Sequence, residues 1–314
     1  MPSTPSPDSP LRIGTRGSPL ALAQAEETAR RLGEAFSLPA EAFEIVVIRT
    51  TGDRIIDRPL KDIGGKGLFT REIEEALLGG EIDIAVHSMK DMPTLQPEGL
   101  VLDTYLPRED PCDGFVSDQY AGLAEMPQGS VVGTSSLRRK AQVLNRRPDL
   151  TVVEFRGNVQ TRLRKLADGV ATCTFLAMAG LNRLEMSHIA RARVRAEEML
   201  PAVGQGAIGI ERRINDGATA ELLAAIHDTP TSHALSAERA FLAELDGSCE
   251  TPIAGLALLD GDELWLRGEV LRPDGSERLD AEGRVPIADG PELGRRLARE
   301  LLSATSPGFF DWRD

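Results

Sequence analysis

Residues 83–93 read D-I-A-V-H-S-M-K-D-M-P. Ile82, Ile84, Ala85 and Val86 predict a short buried strand, and the apolar run stops at His87 and Ser88. A cation and an anion follow side by side, Lys90 and Asp91, and Pro93 closes the segment. In an open α/β sheet, ligands gather just beyond the carboxyl ends of strands, so this pair stands where chemistry is expected. A Lys-Asp dipeptide on its own is ordinary solvated surface. Other junctions of the same kind, supplying more cations, change that reading.

Working outward, residues 11–14 predict a strand, and T-R-G-S-P-L-A-L-A-Q-A follows. Ser18 suits the N-cap and Pro19 the first helical position. Residues 44–48 predict a second strand. The polar stretch 50–67 comes next, with Gly64, Gly65 and Gly67 around Lys66; a connection that long reads as a mobile lid. A helix over 68–78, ended by Gly79 and Gly80, leads into the opening strand, so the pattern is βαβ with a parallel sheet. Residues 104–113 read as a crossover. A second α/β set follows: a strand at 130–133 with T-S-S-L-R-R starting a helix, a strand at 152–155 with R-G-N-V-Q-T-R-L-R-K-L starting another, and an apolar run at 175–179. The turn Gly204-Gln205-Gly206 suits a return to the first domain. The third region predicts a helix capped by Ser232 and running to Leu245, then a loop at 246–251. Residues 256–285 alternate, with Asp-Gly turns at 260–261 and 274–275, and a helix spans 291–302. This is a small α+β domain with an antiparallel meander. No internal repeat is visible.

A chain of 314 residues suits two or three domains, and 41% hydrophobic with 27% charged residues is enough for a real core. A net charge of −13 argues against a general binder of nucleic acid or anionic membrane. The sign reverses locally: residues 135–165 hold nine Lys/Arg against Asp149 and Glu154, which predicts a focused anion site. Three distant cysteines, Cys112, Cys173 and Cys249, form no disulfide framework and fit a reducing compartment. No apolar run reaches the roughly 18 residues of a membrane span, and the start lacks the regions of a secretory signal. Residues 1–10 read as a disordered tail and the protein as cytoplasmic.

Three strand-to-helix junctions stand out: Thr15-Arg16-Gly17-Ser18, Thr134-Ser135-Ser136-Leu137-Arg138-Arg139 and Arg156-Gly157-Asn158. Each joins backbone N–H groups at a helix start to a capping side chain and at least one arginine. That combination grips carboxylate or phosphate; the plain alternative for any one arginine is a surface salt bridge. Among such cations Asp91 has its ionised form favoured. It can accept hydrogen bonds from N–H donors and stabilise a transient cation. The expected ligand therefore has acidic arms and an N–H-bearing, cation-forming centre. Cys249, in the polar loop D-G-S-C-E-T-P, suits covalent attachment. His87, His188, His227 and His233 show no metal-ligand spacing, so no metal is expected, and no phosphate-loop or dinucleotide fingerprint is present. A non-enzymatic solute-binding module stays open as the rival reading.

Taken together, I-G-T-R-G-S-P-L-A-L-A-Q, G-G-K-G-L-F, A-V-H-S-M-K-D-M-P, G-T-S-S-L-R-R, R-G-N-V-Q-T-R-L-R-K-L, L-A-M-A-G-L-N-R-L, V-G-Q-G-A-I-G-I-E and G-S-C-E-T-P-I-A resemble the hydroxymethylbilane synthase (porphobilinogen deaminase) family, in the family's order and over nearly the whole chain. The resemblance implies an α/β fold of two type II periplasmic-binding-protein-like lobes with mixed sheets, an active cleft between them, and a small α+β C-terminal domain. The domains would be 11–106 with 207–225, then 107–206, then 226–314. It implies a transferase that deaminates porphobilinogen and joins four units head to tail on a dipyrromethane primer held by a thioether at Cys249. Hydroxymethylbilane would be released by hydrolysis and passed to uroporphyrinogen-III synthase, and the enzyme would be a cytoplasmic monomer. Asp91 would be the catalytic carboxylate. Arg16, Ser18, Lys66, Phe69, Ser88, Lys90, Thr134, Ser135, Ser136, Arg138, Arg139, Arg156, Gly157 and Arg162 would contact cofactor or substrate. Two departures from the family pattern are Ser248, where a second glycine is common, and Thr172-Cys173, where Asp-Ala is common.

Overall fold

The computed structural model describes residues 4–54, 70–245 and 251–311. In chain order the strands are β1 (Leu11–Thr15), β2 (Phe43–Val47), β3 (Ile84–Ser88), β4 (Leu100–Tyr105), β5 (Asp113–Val116), β6 (Val131–Gly133), β7 (Thr151–Val153), β8 (Cys173–Ala177), β9 (Ala192–Arg193), β10 (Ile208–Arg213), β11 (Ile253–Asp260), β12 (Glu263–Leu271) and β13 (Arg278–Pro286). The helices used below are α1 (Pro19–Phe36), α2 (Thr51–Arg54), α3 (Arg71–Leu78), α4 (Leu137–Arg146), α5 (Val159–Ala167), α6 (Met178–Arg183), α7 (Gly217–Ala224), α8 (Thr229–Glu244) and α9 (Gly290–Ala304).

Residues 4–54, 70–108 and 207–232 form one compact unit. Its sheet runs β2-β1-β3-β10-β4, with β1 parallel to both neighbours and β10 antiparallel to β3 and β4. Period-two alternation sends Ile84 and Val86 to one face, onto Ala25 and Leu32 of α1. Ala85 faces the other way, onto Ile73 and Leu77 of α3. Both faces of β3 are thus covered, which is why residues 84–86 are apolar without a break.

Residues 109–206 and 233–311 form the second unit. Its first sheet runs β7-β6-β8-β5-β9, again with a central strand parallel to two neighbours and an antiparallel strand beyond. The pairing pattern of the first unit recurs here without a sequence repeat, because strand order follows the sequence of elements rather than residue identity. The three-stranded meander β11-β12-β13 packs its apolar face on α8 and α9, around Phe241, Leu264, Leu266, Leu293 and Leu297. Two α/β sheets and a separate three-stranded sheet with helices are the fold class expected.

Several local expectations are corrected. Residues 4–10 are not a disordered tail: Ser6 and Ser9 exchange backbone hydrogen bonds of 3.1 and 3.0 Å around Pro7-Asp8, a proline-led turn, and Pro5 is buried. Helix α8 starts at Thr229, not after Ser232, because Asp228 Oδ2 accepts from Thr231 N at 2.9 Å and caps it earlier. Strand β11 begins at Ile253, ahead of residue 256. Residues 51–54 are helical; the rest of the proposed lid, 55–67, lies outside the described residues, as do Lys66, Phe69 and Cys249.

Candidate active site

In the first unit the chain runs from β1 out to β2 on one side and returns to β3 on the other, so the carboxyl ends of β1 and β3 flank the switch point of the sheet. Two predicted junctions meet there. After β1, Ser18 caps α1, its Oγ accepting from Ala21 N at 3.2 Å, with half-buried Arg16 just ahead. After β3, Met89–Asp91 make one 3-10 turn. Lys90 and Asp91 are both half-buried, and the Asp91 carboxylate has no hydrogen-bond or ion-pair partner among the described residues. Ser88 is anchored to Gln24, its Oγ lying 2.9 Å from Nε2 and 3.0 Å from Oε1. The sequence reading passed over Gln24. Its signal was a polar residue within the apolar run L-A-L-A-Q-A, and the structure buries it to 4% exposure.

In the second unit the sheet has the same switch point between β6 and β8, and the two predicted junctions follow β6 and β7. After β6, Thr134 Oγ1 accepts from Ser136 N at 3.2 Å, and Ser136 caps α4 by accepting from Arg139 N at 3.4 Å. Ser135 Oγ accepts from Phe155 N at 2.9 Å and so ties this junction to the one that ends β7. There Asn158 caps α5, accepting from Thr161 N at 2.9 Å. Gly157 sits at φ +122°, and a Cβ there would come within 2.6 Å of Thr161, so the turn requires glycine. The Gly157 carbonyl accepts from Arg162 Nε at 2.9 Å, and Lys165 donates to the Arg156 carbonyl at 3.0 Å. Burial away from water, and then the positive charges of Arg139 and Arg156, hold the pKa of the Arg162 guanidinium down to about 10. No acid is paired to it among the described residues. A bound anion would remove that strain.

Arg138 and Arg139 depart from expectation. Both were expected to stand open to a ligand, yet they are 4% and 5% exposed and both grip Asp113. Arg138 Nη2 donates to Oδ2 at 2.8 Å and Arg139 Nη2 to Oδ1 at 2.7 Å, while Gln205 Nε2 adds a third bond at 2.9 Å. Burial alone would raise the Asp113 carboxyl, but the two guanidinium groups hold it well below the usual carboxylate range. Sequence reasoning missed Asp113 and Gln205 because only the fold brings them to α4. Each arginine keeps a buried Nε–H with no partner. Two guanidinium groups close on the buried Asp113 and keep an Nε–H each to spare, while Arg156 and Arg162 stand at the neighbouring junction without holding it.

Two α/β lobes, each collecting cations and helix N-termini at the switch point of its sheet, define a protein built to hold a multiply acidic small molecule. The chain belongs to the porphobilinogen deaminase family and is an enzyme of tetrapyrrole biosynthesis: residues 11–221 match "Porphobilinogen deaminase, dipyromethane cofactor binding domain" and residues 233–303 "Porphobilinogen deaminase, C-terminal domain". The porphobilinogen deaminase of Paracoccus denitrificans is 67% identical over 312 residues, covering 99% of this chain and all of that one. The chloroplastic enzyme of Pisum sativum is 55% identical over 96% of this chain and 83% of its own length. A periplasmic substrate-binding protein of an ABC transporter from Coxiella burnetii has a solved structure similar at TM-score 0.41 and 15% identity, covering 71% of this chain and 93% of that one. The cofactor named in the description of the matched domain is dipyrromethane. Among the described residues no helix is long and apolar enough to cross a membrane, and no cluster of potential ligands could hold a metal.

Proposed function

We propose that the chain joins four porphobilinogen molecules head to tail with Asp91 as the carboxylate that stabilises the developing cation. Loss of ammonia from an aminomethyl group leaves a positive charge conjugated to a pyrrole nitrogen. A fixed carboxylate beside that N–H stabilises charge where it appears, at no reorganisation cost during the reaction. The dipyrromethane, when bound, supplies the nucleophilic pyrrole carbon on which the chain grows.

The observation that carries this reading is the Asp91 carboxylate itself. It is half-buried at a sheet switch point beside Lys90, with no partner among the described residues. A carboxylate without a structural task at such a place is available for a ligand. Arg16, Ser18, Ser88 and Lys90 in the first unit, and Thr134, Ser135, Ser136, Arg156, Gly157 and Arg162 in the second, supply the contacts to acidic arms. Arg138 and Arg139 take part through their leftover Nε–H donors and their charge. Lys66 and Phe69 join them by motif position. Cys249 carries the cofactor through a thioether. The rest of the reading is a cytoplasmic monomer of three domains, with residues 50–67 as its moving lid and its product consumed by uroporphyrinogen-III synthase.

The test is Asp91→Asn. Turnover is expected to drop by about 100-fold or more, with the melting temperature and the mass of the covalent adduct on the protein unchanged. Near-normal turnover would refute the role.

A further inference from the structure

Among the described residues nothing holds the Asp91 carboxylate at its own tip, so its position there comes from the strand end that carries it. That strand end is fixed on both faces and along the backbone. On the α1 face Ser88 meets Gln24. Along the backbone, Met89 N donates to the Ala207 carbonyl at 3.0 Å, and Met89 packs so closely over β10 that a Cβ on Gly209 would lie 2.2 Å from its sulfur. On the α3 face stands a group the reaction does not use. His87 Nε2 lies 3.1 Å from Glu211 Oε2, with the two side chains 5% and 0% exposed. His87 is opposite Gly209 and Glu211 opposite Ala85, so the pair is a diagonal contact across the β3–β10 ladder.

We propose that the buried His87–Glu211 pair is a positioning device for the turn that carries Lys90 and Asp91. A buried polar pair of this kind contributes less to stability than an apolar pair of the same volume. What it adds is direction: one hydrogen bond sets the imidazole plane and locks β3 against β10 three residues before Lys90. The second oxygen of Glu211 has no partner, so packing for its own sake is a poor account of the site. Glu74 of α3, 8% exposed, completes the group. Burial raises its carboxyl, and the charges of Glu211 and His87 act on it in opposite directions.

The inference rests on Asp91 being the catalytic carboxylate, so Asp91→Asn is measured alongside. In cofactor-loaded enzyme, Glu211→Gln and His87→Gln are expected to lower kcat by about 10-fold while leaving KM within about twofold, because they displace a group that acts mainly in the transition state. The His87→Gln/Glu211→Gln double variant should be no worse than either single one, since both break the same contact. An unchanged kcat in a folded variant overturns the proposal, as does a kcat loss matched by an equal rise in KM. Should Glu211→Gln fail to fold, His87→Gln carries the same test. If Asp91→Asn is inactive while both pair variants are normal, this inference alone fails. If Asp91→Asn is active, the catalytic assignment fails first.

Discussion

Asp113 decides what Arg138 and Arg139 can do. Fully buried and bound by both guanidinium groups and by Gln205, it turns two cations that looked like surface grips into interior posts. Removing its charge leaves them buried without a counterion, so Asp113→Asn should cost about 3–5 kcal/mol at neutral pH. A urea-midpoint shift worth less than 1 kcal/mol, on the scale of a weak surface pair, would count against this. The carboxyl is held below its usual range, so its stabilisation is complete above the unfolded value of about 3.9 and fades as pH falls toward the folded value. The gap between wild type and variant should therefore close only well below about pH 4. Arg162 is the opposite case, a half-buried cation repelled by its neighbours with no acid paired to it among the described residues. Arg162→Gln should raise KM by about 10-fold with little loss of stability; an unchanged KM would remove it from the site. Sequence could mark both kinds of arginine but not separate them, because the separating residue, Asp113, lies 25 positions from Arg138.

At the scale of elements, the caps were legible because their chemistry is local. Ser18, Ser136 and Asn158 each cap the helix expected. Asp228 was overlooked because two candidate caps stand four residues apart and only the tertiary fold chooses between them. The turn at Gly157 is the sharpest local requirement, since it combines a positive φ with a Cβ contact of 2.6 Å. Gly157→Ala should destabilise by about 1–3 kcal/mol. It should also weaken ligand binding, because the same carbonyl holds Arg162. A melting temperature within a degree of wild type would show that the turn can relax. Helix α4 also reaches the meander. Gln142 Nε2 donates to Glu269 Oε1 at 2.8 Å, and its Oε1 accepts from Arg138 Nη1 at 3.0 Å. The carboxylate thus fixes which way the amide points and, through it, the arginine.

At the scale of the whole molecule, the alternation of strands and helices announced two α/β regions and a small third one, and the structure has two such sheets and a meander. What sequence could not show was the common strand order, which lives in the pairing of β1 with β3 and β6 with β8 rather than in any local pattern. The charge distribution raises a further consequence. An acidic chain of net charge −13 keeps a knot of like charges at Arg139, Arg156 and Arg162. A covalent polyacid would neutralise that knot permanently, so losing it should cost stability as well as activity. Cys249→Ser is the variant to use: its intact mass should equal the bare sequence, whereas wild type should carry an adduct. Relative to loaded wild type its melting temperature should fall by several degrees, about the shift that 1 kcal/mol or more produces in a domain of this size. Because two of the three cations, Arg156 and Arg162, are only half-buried, their part of the repulsion should be screened and the difference should shrink in 1 M salt, where screening acts over about 3 Å. The same adduct mass on both proteins would exclude Cys249 as the attachment point. An adduct on wild type with no difference in melting temperature at low salt would leave the attachment standing and show that the arginine cluster is neutralised in some other way.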